Sequence, residues 1–234
     1  MNSADAPILE LRDVSCTAEE AHLQAVQLAF APSSFSAIRG APGSGHALLL
    51  RVLGLLVAPQ TGEVRLAGNA VQSLSSEARA ALRDQRLGFV FHAPFLLPTM
   101  TVVENVAMPL FRHSESQPAE AHRRTSLVLE FVGLSEVGQK LSSELSSFDQ
   151  YRASLARSLV NEPVALLVED LDTTLAGSEL VEFTALLRQA AARLGVAVLS
   201  TTSPTFTPLP GDRVIDMEAG SSLRDSALTA PALP

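Results

Sequence analysis

Short apolar runs alternate with longer stretches of helical periodicity along most of the chain. The short runs are rich in Val, Ile, Leu and Phe and predict strands. These strands are expected at Ile8 to Val14, Phe35 to Arg39, Glu63 to Ala67, Leu87 to Phe91, Val164 to Val168, Val196 to Thr201 and Arg213 to Met217. The longer stretches predict helices at Ser44 to Leu56, Ser76 to Asp84, Val102 to Leu110, Glu120 to Val132, Phe148 to Val160 and Ser178 to Leu194. Strands that alternate with helices are typical of an α/β fold with a mostly parallel sheet.

The predicted elements are unevenly distributed along the chain. The segment from about residue 93 to residue 160 is rich in helices and lies between two strand-rich parts. It is therefore expected to form a helical subdomain inserted in one domain that spans residues 8–220. Both ends, residues 1–7 and 221–234, are rich in Ser, Ala and Pro. We expect them to be flexible tails.

Composition and charge narrow the class of protein. The chain has 234 residues and 47% hydrophobic content, which is enough for a full core. Arg51 interrupts the most apolar stretch, and residues 1–7 are polar and acidic, so neither a membrane span nor a signal peptide is predicted. A cytoplasmic location is therefore expected. The single cysteine excludes a disulfide scaffold, and the net charge of −8 argues against a nucleic-acid partner.

One segment has the spacing of a phosphate-binding P-loop. It reads Gly-Ala-Pro-Gly-Ser-Gly-His-Ala from Gly40 to Ala47. In a working loop, backbone N–H groups hold the phosphates, a Lys adds charge and a Ser or Thr binds Mg²⁺. His46 stands in the place of this Lys and Ala47 in the place of the hydroxyl residue. The candidate nucleotide-binding residues are Gly40, Gly43, Ser44, Gly45, His46 and Ala47.

Beyond the P-loop, the chain resembles the ATP-binding subunit of an ABC transporter over nearly its full length. The resemblance rests on Phe89-Val90-Phe91-His92, Leu96-Leu97-Pro98, Val103-Glu104-Asn105-Val106, Leu145-Ser146, Gln150-Tyr151-Arg152 and the run from Leu155 to Pro163. These segments follow one another as they do in the group of lipoprotein-releasing, macrolide-export and cell-division proteins. The resemblance implies a P-loop NTPase (RecA-like) core, an N-terminal antiparallel β subdomain and an inserted helical subdomain.

The chain departs from the family pattern at each position with a chemical role. The departures are Ala18 for the adenine-stacking aromatic, His92 for the Q-loop Gln, Glu169 and Asp170 for the Walker B Asp and Glu, Ala176 for the D-loop Asp and Thr202 for the switch His. The signature positions are Leu145, Ser146, Ser147, Phe148 and Asp149, which keep the serine and lack both glycines and the Gln. We therefore name no catalytic residue and predict no metal site.

These losses can be converted into an expected affinity. The adenine-stacking contact is worth about 1–3 kcal/mol, and a charge-assisted phosphate contact about 1.5–3 kcal/mol. At about 1.4 kcal/mol per factor of ten, nucleotide affinity should fall by roughly two to four decades. Asp170 is also one methylene shorter than Glu, which displaces a general base by about 1 Å. ATP and Mg²⁺, which the family implies as ligands, are therefore expected to bind weakly or not at all.

The resulting hypothesis is a pseudo-ATPase subunit that docks beneath a membrane permease on the cytoplasmic face of the inner membrane. Its partners would be that permease and, as a second candidate, an active homologous ATP-binding subunit. Two alternatives stay open: an active ABC ATPase with unorthodox residues, and a soluble scaffold or regulator that has left the transporter. In the family, the segment from Phe95 to Leu110 forms the permease groove, although subdomain core is the alternative interpretation. The predicted interface residues are Phe95, Leu96, Leu97, Pro98 and Met100.

Individual residues also have two interpretations. His46 and His92 could form a new metal site with Glu169 and Asp170, but histidines acquired by drift are the commoner case. A weak Mg²⁺ site that also uses Asp172 is a further alternative, with the hydroxyl at position 47 missing. Phe148 could face a ligand, or it could open its helix and pack on the subdomain.

Overall fold

A computed structural model of the protein describes residues 6–18, 20–111 and 117–229. The strands are β1 (Leu9–Ala18), β2 (Ala21–Phe30), β3 (Phe35–Arg39), β4 (Thr61–Leu66), β5 (Asn69–Ala70), β6 (Leu87–Val90), β7 (Ala165–Val168), β8 (Ala197–Thr202), β9 (Arg213–Glu218) and β10 (Ser221–Asp225). The α-helices are α1 (His46–Leu53), α2 (Ser76–Arg86), α3 (Val102–Ala107), α4 (Pro118–Phe131), α5 (Ser147–Leu159), α6 (Gly177–Leu194) and α7 (Ser226–Thr229).

The strands form two sheets that confirm the predicted fold class. The first is antiparallel, with the order β2-β1-β4-β5. The second has the order β10-β9-β3-β8-β7-β6, and every pair from β9 to β6 is parallel. The carboxyl ends of β3, β7 and β8 meet at one edge of this sheet, which is where α/β proteins usually bind ligands.

The two faces of the second sheet pack on separate apolar clusters. One cluster joins the antiparallel sheet to α1 and the near face of the second sheet, with Phe30, Leu49 and Leu53 fully buried. The other cluster joins the opposite face to α3, α4, α5 and α6, with Leu155 and Phe183 fully buried. Helices α3 to α5 lie between β6 and β7 in the chain. The bounds of a helical subdomain over residues 93–160 stay a prediction.

Strand β2 was missed because its alternation of apolar and polar residues is interrupted. The buried residues of β2 are Leu23, Val26, Leu28 and Phe30. Two consecutive exposed residues, Gln24 and Ala25, lie between Leu23 and Val26. Ala25 takes a left-handed φ of 47° between them, and the pairing of β1 with β2 shifts in register nearby. Such a bulge inserts a residue and changes which side chains face the core. A strict period-two pattern therefore does not detect this strand.

The segment from residue 221 onward corrects the prediction of a flexible tail. Residues 221–225 pair with β9 as strand β10, and α7 follows. The Arg213 guanidinium, over the ring of Phe30 at 4.9 Å, donates from Nε to Asp225 at 2.9 Å. This buried ion pair orders a segment whose composition alone indicated a tail. The predicted tail residues 1–5 and 230–234 lie outside the described residues.

Within residues 6–18, 20–111 and 117–229, no helix is both long enough and apolar enough to cross a bilayer.

Candidate nucleotide site and docking groove

The P-loop follows β3 and leads directly into α1. Gly43 and Gly45 take left-handed φ values of 82° and 94°. A side chain on Gly45 would place its Cβ 2.7 Å from the backbone oxygen of His22, so glycine is needed there for both conformation and space. The glycine-dependent shape of a phosphate cradle is therefore present.

Two of the loop's own side chains, Ser44 and His46, contact each other and the start of the loop. His46, the first residue of α1, is 7% exposed. Its Nδ1 lies 2.9 Å from Ser44 Oγ, and its Nε2 lies 3.4 Å from Asp170 Oδ1. A Cβ built on Gly40 would lie 2.1 Å from Ser44 Oγ and 2.9 Å from the His46 ring. Ser44 and His46 therefore pack closely against Gly40 at the start of the loop.

Asp170 lies two residues after the end of β7, between His46 and Thr201. Its backbone takes a left-handed φ of 39°, and its N–H donates to Thr201 Oγ1 at 3.0 Å. Burial raises the pKa of its carboxyl, but the neighbouring His46 and Thr201 outweigh burial and leave the pKa below the ordinary value of 3.8. At 3.4 Å from His46 Nε2, Asp170 Oδ1 is close to the ring but has no hydrogen-bond partner among the described residues. Asp170 is therefore a charged partner for His46 across the sheet edge.

The residues present do not fit a Mg²⁺-nucleotide. Ala47 has no side-chain oxygen to ligate a cation, and His46, at the position of the phosphate-binding Lys, lies against Ser44 and Asp170. Across residues 6–18, 20–111 and 117–229, no group of at least three His, Cys, Asp or Glu side chains has the geometry to hold a metal ion. A cavity of about 320 Å³ opens over the loop and is lined by loop residues, among them Gly43, Gly45 and Ala47, and by Asp170 and Ser203.

Thr202, at the expected place of the switch His, does not line this cavity. Its side chain is buried, its Oγ1 has no hydrogen-bond partner, and its backbone oxygen accepts from Gly40 N–H at 3.1 Å. It therefore helps to fix the start of the P-loop through its backbone.

The second histidine pairs with the second acidic residue. His92 Nδ1 lies 3.0 Å from Glu169 Oε2, and Arg51 Nε lies 4.0 Å from Glu169 Oε1. The Tyr151 hydroxyl donates to the backbone oxygen of His92. The two histidines and two carboxylates considered as one metal site thus form two separate histidine–carboxylate contacts, one with a buried and one with an exposed histidine.

The signature positions make contacts within their own helix. Ser146 caps α5 and accepts from Asp149 N–H at 3.1 Å. Arg152 donates from Nε to Asp149 at 3.0 Å and lies over the ring of Phe148 at 5.2 Å. Phe148 also packs edge-on against Phe183 at 6.5 Å. Phe148 therefore packs inward rather than facing a ligand, and the charge of Asp149 is paired. Leu145 is buried, and Ser147 opens the helix.

The segment that follows β6 exposes apolar side chains in an ordered loop. Phe95 is 61% exposed and Leu97 44% exposed, while Leu96 packs partly against the core. The buried side chain of Asn105 accepts from Leu97 N–H at 2.7 Å and donates to the carbonyl oxygens of Leu97, Met100 and Thr101. One buried amide therefore holds the loop that includes Pro98 and presents its apolar residues.

A cavity of about 400 Å³ adjoins this loop, with Leu56, Phe89, Phe91 and Phe95 in its lining. Its polar wall contains Arg51, His92 and Glu169. We call this cavity and the neighbouring exposed residues Phe95 and Leu97 the docking groove.

Sequence reasoning missed the roles of Arg51 and Asn105. Arg51 is the charged residue within the most apolar stretch of the chain, and that position is itself a signal of a polar environment. Asn105 occupies a helix whose other buried residues are apolar. A buried amide at such a position requires hydrogen-bond partners, which here are the backbone atoms of residues 97–101.

The two sheets, the P-loop between β3 and α1, and the acidic residues after β7 define an α/β protein of the P-loop NTPase fold. The sequence pattern of the family described as "ABC transporter" matches residues 23–171. The chain belongs to this family as an ATP-binding domain.

Curated relatives cover the chain almost completely. It is 33% identical over 222 residues to "Lipoprotein-releasing system ATP-binding protein LolD" of Pseudomonas syringae pv. tomato. This alignment covers 93% of this chain and 97% of the relative. It is 32% identical over 233 residues to "Pyoverdine export ATP-binding/permease protein PvdT" of Pseudomonas entomophila, which covers 97% of this chain. The chain spans 35% of the length of that relative.

Solved structures share the fold. The structure titled "Structure of cbiO1 from clostridium perfringens" has a TM-score of 0.86 at 22% identity, over 94% of this chain and 88% of that one. The dimeric structure of MJ0796, described as a bacterial ABC transporter cassette, has a TM-score of 0.79 at 26% identity, over 93% of this chain and 97% of that one. Both likenesses agree with the P-loop NTPase core predicted from the sequence.

Proposed function

We propose that the protein is a pseudo-ATPase subunit of an ABC transporter. It keeps the cassette fold, docks beneath a membrane permease as a structural or regulatory component, and neither binds Mg-ATP tightly nor hydrolyses it. The observation that carries this proposal is the contact of His46 with Asp170 and Ser44 inside the phosphate cradle.

The contact matters because it joins, within the protein, two elements that a bound nucleotide joins in a working site. In a working site, the P-loop and the acidic residue after β7 are bridged by phosphates and Mg²⁺. Here His46 bridges the same two elements directly. A nucleotide would have to break this buried contact before it could use the backbone N–H groups of the loop, and Ala47 would give it no ligand for the metal in return.

The docking groove supports a permease partner. Its exposed aromatic and aliphatic side chains lie beside a recessed cavity, and such apolar surfaces in folded proteins mark sites of association. The name of the PvdT relative joins an ATP-binding part to a permease, and the name of the LolD relative refers to lipoprotein release. These names support a transporter as the setting and lipoprotein or small-molecule export as candidate processes.

We also propose that the protein forms no ATP-driven closed dimer. The family's head-to-tail dimer needs signature glycines whose backbone N–H groups approach a phosphate. Phe148 and Asp149 instead turn onto Arg152 and leave bulky side chains at this position. Sedimentation of the purified chain with and without Mg-ATP tests this point, and a nucleotide-dependent shift to dimer would refute it.

Calorimetry and turnover assays test the central claim. We expect no saturable binding of Mg-ATP at micromolar concentrations and phosphate release at background. Micromolar binding, or turnover that Asp170→Asn removes, would instead establish the active-ATPase alternative.

Docking is tested by sedimentation with inside-out vesicles of the source membrane. Leu97→Asp should abolish binding to these vesicles, because it places a charge in the docking groove. Leu127→Asp is the matched control, since Leu127 is similarly exposed on α4 away from the groove. Equal binding of both variants would refute the groove as the docking surface.

A further inference from the structure

The contacts of His46 leave the cavity of about 320 Å³ open over the P-loop, and its walls are of two kinds. The polar wall contains Asp170, Thr173 and Ser203, which follow β7 and β8 in the chain. Among the described residues that line the cavity, none is a lysine or an arginine. The apolar wall is formed by Ala21, Pro42, Ala47, Leu48 and Pro204. We call this space the loop cavity.

Asp170 gives the loop cavity its negative charge. Burial raises the pKa of its carboxyl, but His46 and Thr201 outweigh burial and lower it, so the carboxyl is ionised near neutral pH. The side chain is 26% exposed, and no hydrogen-bond donor among the described residues satisfies its Oδ1. His46 Nε2 lies 3.4 Å from this oxygen, and an imidazole balances a carboxylate only when it is protonated.

The N-terminus of α1 also lies at the loop cavity and opposes this charge. A helix N-terminus acts as roughly half a positive elementary charge and by itself favours an anion. Helix α1 has eight residues and begins at His46. The carboxylate of Asp170 carries a full negative charge at the same cavity. The sum of the two is negative, so the cavity favours a cation over a phosphate.

The hydrogen-bonding groups of the polar wall match a donor. Thr173 Oγ1 donates its proton to the backbone oxygen of Asp170 at 2.7 Å, so its hydroxyl has only lone pairs left for a ligand. The backbone N–H of Ser203 donates to Asp172 Oδ2 at 2.8 Å and is already used. Asp170 and Thr173 therefore offer acceptors, which a ligand with N–H groups can satisfy.

We propose that the loop cavity binds a small organic cation, an aliphatic ammonium or guanidinium group with an alkyl chain. The inference goes beyond the proposed function, because it assigns to this loop a ligand of the opposite charge to a nucleotide phosphate. The cation pairs with Asp170 through charge-assisted hydrogen bonds, and the alkyl chain packs on the apolar wall and leaves water. An inorganic metal ion is the less suitable occupant, because this wall offers it no ligand and the described residues contain no metal-binding group of three His, Cys, Asp or Glu side chains.

Amide NMR titrations of the full chain at constant ionic strength test the proposal. The probes are n-butylamine, which is protonated at neutral pH, and two analogues of similar length, n-butanol and butyrate. Butylammonium should shift the amide resonances of Gly43 and Gly45, which line the loop cavity. It should bind about tenfold more tightly than butanol, because only the cation forms a charged hydrogen bond. Butyrate should not bind.

Three variants locate the contact. Asp170→Asn keeps the shape of the side chain and removes its charge, so it should weaken butylammonium binding about tenfold and leave butanol unaffected. Thr173→Val removes a hydroxyl acceptor and should weaken butylammonium binding about threefold, without altering the contact of His46 with Asp170. Asp172→Asn is the matched control, since Asp172 is two residues from Asp170 and does not line the loop cavity. It should retain the affinity of the wild type.

The other outcomes overturn the proposal. Equal affinities for butylammonium and butanol would mean that the loop cavity binds apolar chains without regard to charge. Tighter binding of butyrate would identify an anion site. Equal weakening by Asp170→Asn and Asp172→Asn would indicate a diffuse field and no defined contact.

A further titration separates two sources of the cation. A capped pentapeptide of alanine with a central lysine carries the same ammonium group on a peptide. Tighter binding of this peptide than of butylamine supports the proposal and assigns the cation to a side chain of a partner protein. Weaker binding of the peptide assigns it to a free amine. If neither binds, the proposal is wrong, while the calorimetry with Mg-ATP tests the pseudo-ATPase function separately.

Discussion

Two regions of this protein differ in what contacts their functional side chains. One is the nucleotide edge, where the P-loop residues Ser44 and His46 meet Asp170, and the other is the docking groove. At the nucleotide edge, His46 is buried against Ser44 and Asp170, so the functional positions bind one another. At the groove, Phe95 and Leu97 are exposed. The first surface is closed by internal contacts, whereas the second has the features of a surface that needs another molecule.

This difference indicates where the protein's interactions lie. A buried polar group must be hydrogen-bonded, so a site that loses its ligand is stable only if its own side chains take the ligand's place. At the nucleotide edge, His46 contacts Ser44 and Asp170, while Asp170 Oδ1 and Thr202 Oγ1 are buried without a hydrogen-bond partner among the described residues. The exposed side chains of Phe95 and Leu97 at the groove are not covered by any of the described residues, and the proposed function covers them by association.

The largest effect is expected from reopening the closed edge. His46→Lys with Ala47→Ser should raise the affinity for Mg-ATP by about 100-fold, because the variant gains a phosphate-binding ammonium and a metal-binding hydroxyl and loses the His46 contact. Turnover should stay at background, since Asp170, Thr202 and the signature positions are unchanged and catalytic groups act as a unit. Calorimetry and phosphate release measure the two quantities. Unchanged affinity would show that the adenine contact at Ala18 is the dominant loss, and rapid turnover would contradict the pseudo-ATPase proposal.

The next effect concerns the ordered side of the groove. Asn105→Ala should lower the free energy of unfolding by about 2 kcal/mol, because one buried amide satisfies several backbone groups of residues 97–101. Asn161→Ala is the control: its side chain makes one hydrogen bond, to the backbone oxygen of Asp84 at 3.2 Å, and its loss should cost about 1 kcal/mol. Urea unfolding gives both values. Equal costs would mean that the loop is held by its apolar contacts instead.

Much of the fold could be predicted from the sequence, because β3, β6, β7 and β8 of the second sheet are largely buried on both faces and are rich in apolar residues. Strand β7, Ala165–Val168, is an unbroken apolar run and is buried throughout. Strand β2 could not be found in this way, because the bulge at Ala25 interrupts its alternation. Strand β10 was missed for another reason. Its order depends on the ion pair of Asp225 with Arg213, and a contact between distant residues leaves no local pattern.

The candidate site was predicted in its residues but not in its contacts. The spacing of the P-loop identifies His46 and Ala47 as substitutions, and position in the chain identifies Glu169 and Asp170. Which histidine pairs with which carboxylate depends on side-chain directions at the sheet edge, and these are set by the fold. The packing of Phe148 and Arg152 on each other depends likewise on their spacing of four residues on α5.

A smaller effect separates the two histidine pairs. His46→Ala should lower the free energy of unfolding by about 1–2 kcal/mol, because it leaves Asp170 without its partner in a largely buried position. His92→Ala should cost less than about 1 kcal/mol, because the His92 side chain is 58% exposed and water screens its pair with Glu169. Chemical denaturation near neutral pH measures both variants. If His92→Ala cost more than His46→Ala, the contact of His92 with Glu169 beside the groove would stabilise the fold more than the contact of His46 with Asp170. That result would contradict the role proposed for His46.

The smallest effect is a dependence of stability on acid pH. Because the pKa of Asp170 lies below its ordinary value of 3.8 in the folded protein, its charged form contributes stability that is present above this value. That contribution is lost as the pH falls through the folded-state pKa. The wild type should therefore lose stability more steeply than Asp170→Asn below about pH 4, and the two curves should run parallel above about pH 5. Asp225→Asn should show the same change of slope, because Asp225 is held in the same way: burial raises its pKa, but Arg213 outweighs burial and lowers it. Urea unfolding at a series of pH values provides the slopes. If Asp170→Asn alone retained the wild-type slope, Asp170 would gain nothing from His46 in the folded state. The contact in the phosphate cradle would then be one of proximity without electrostatic coupling.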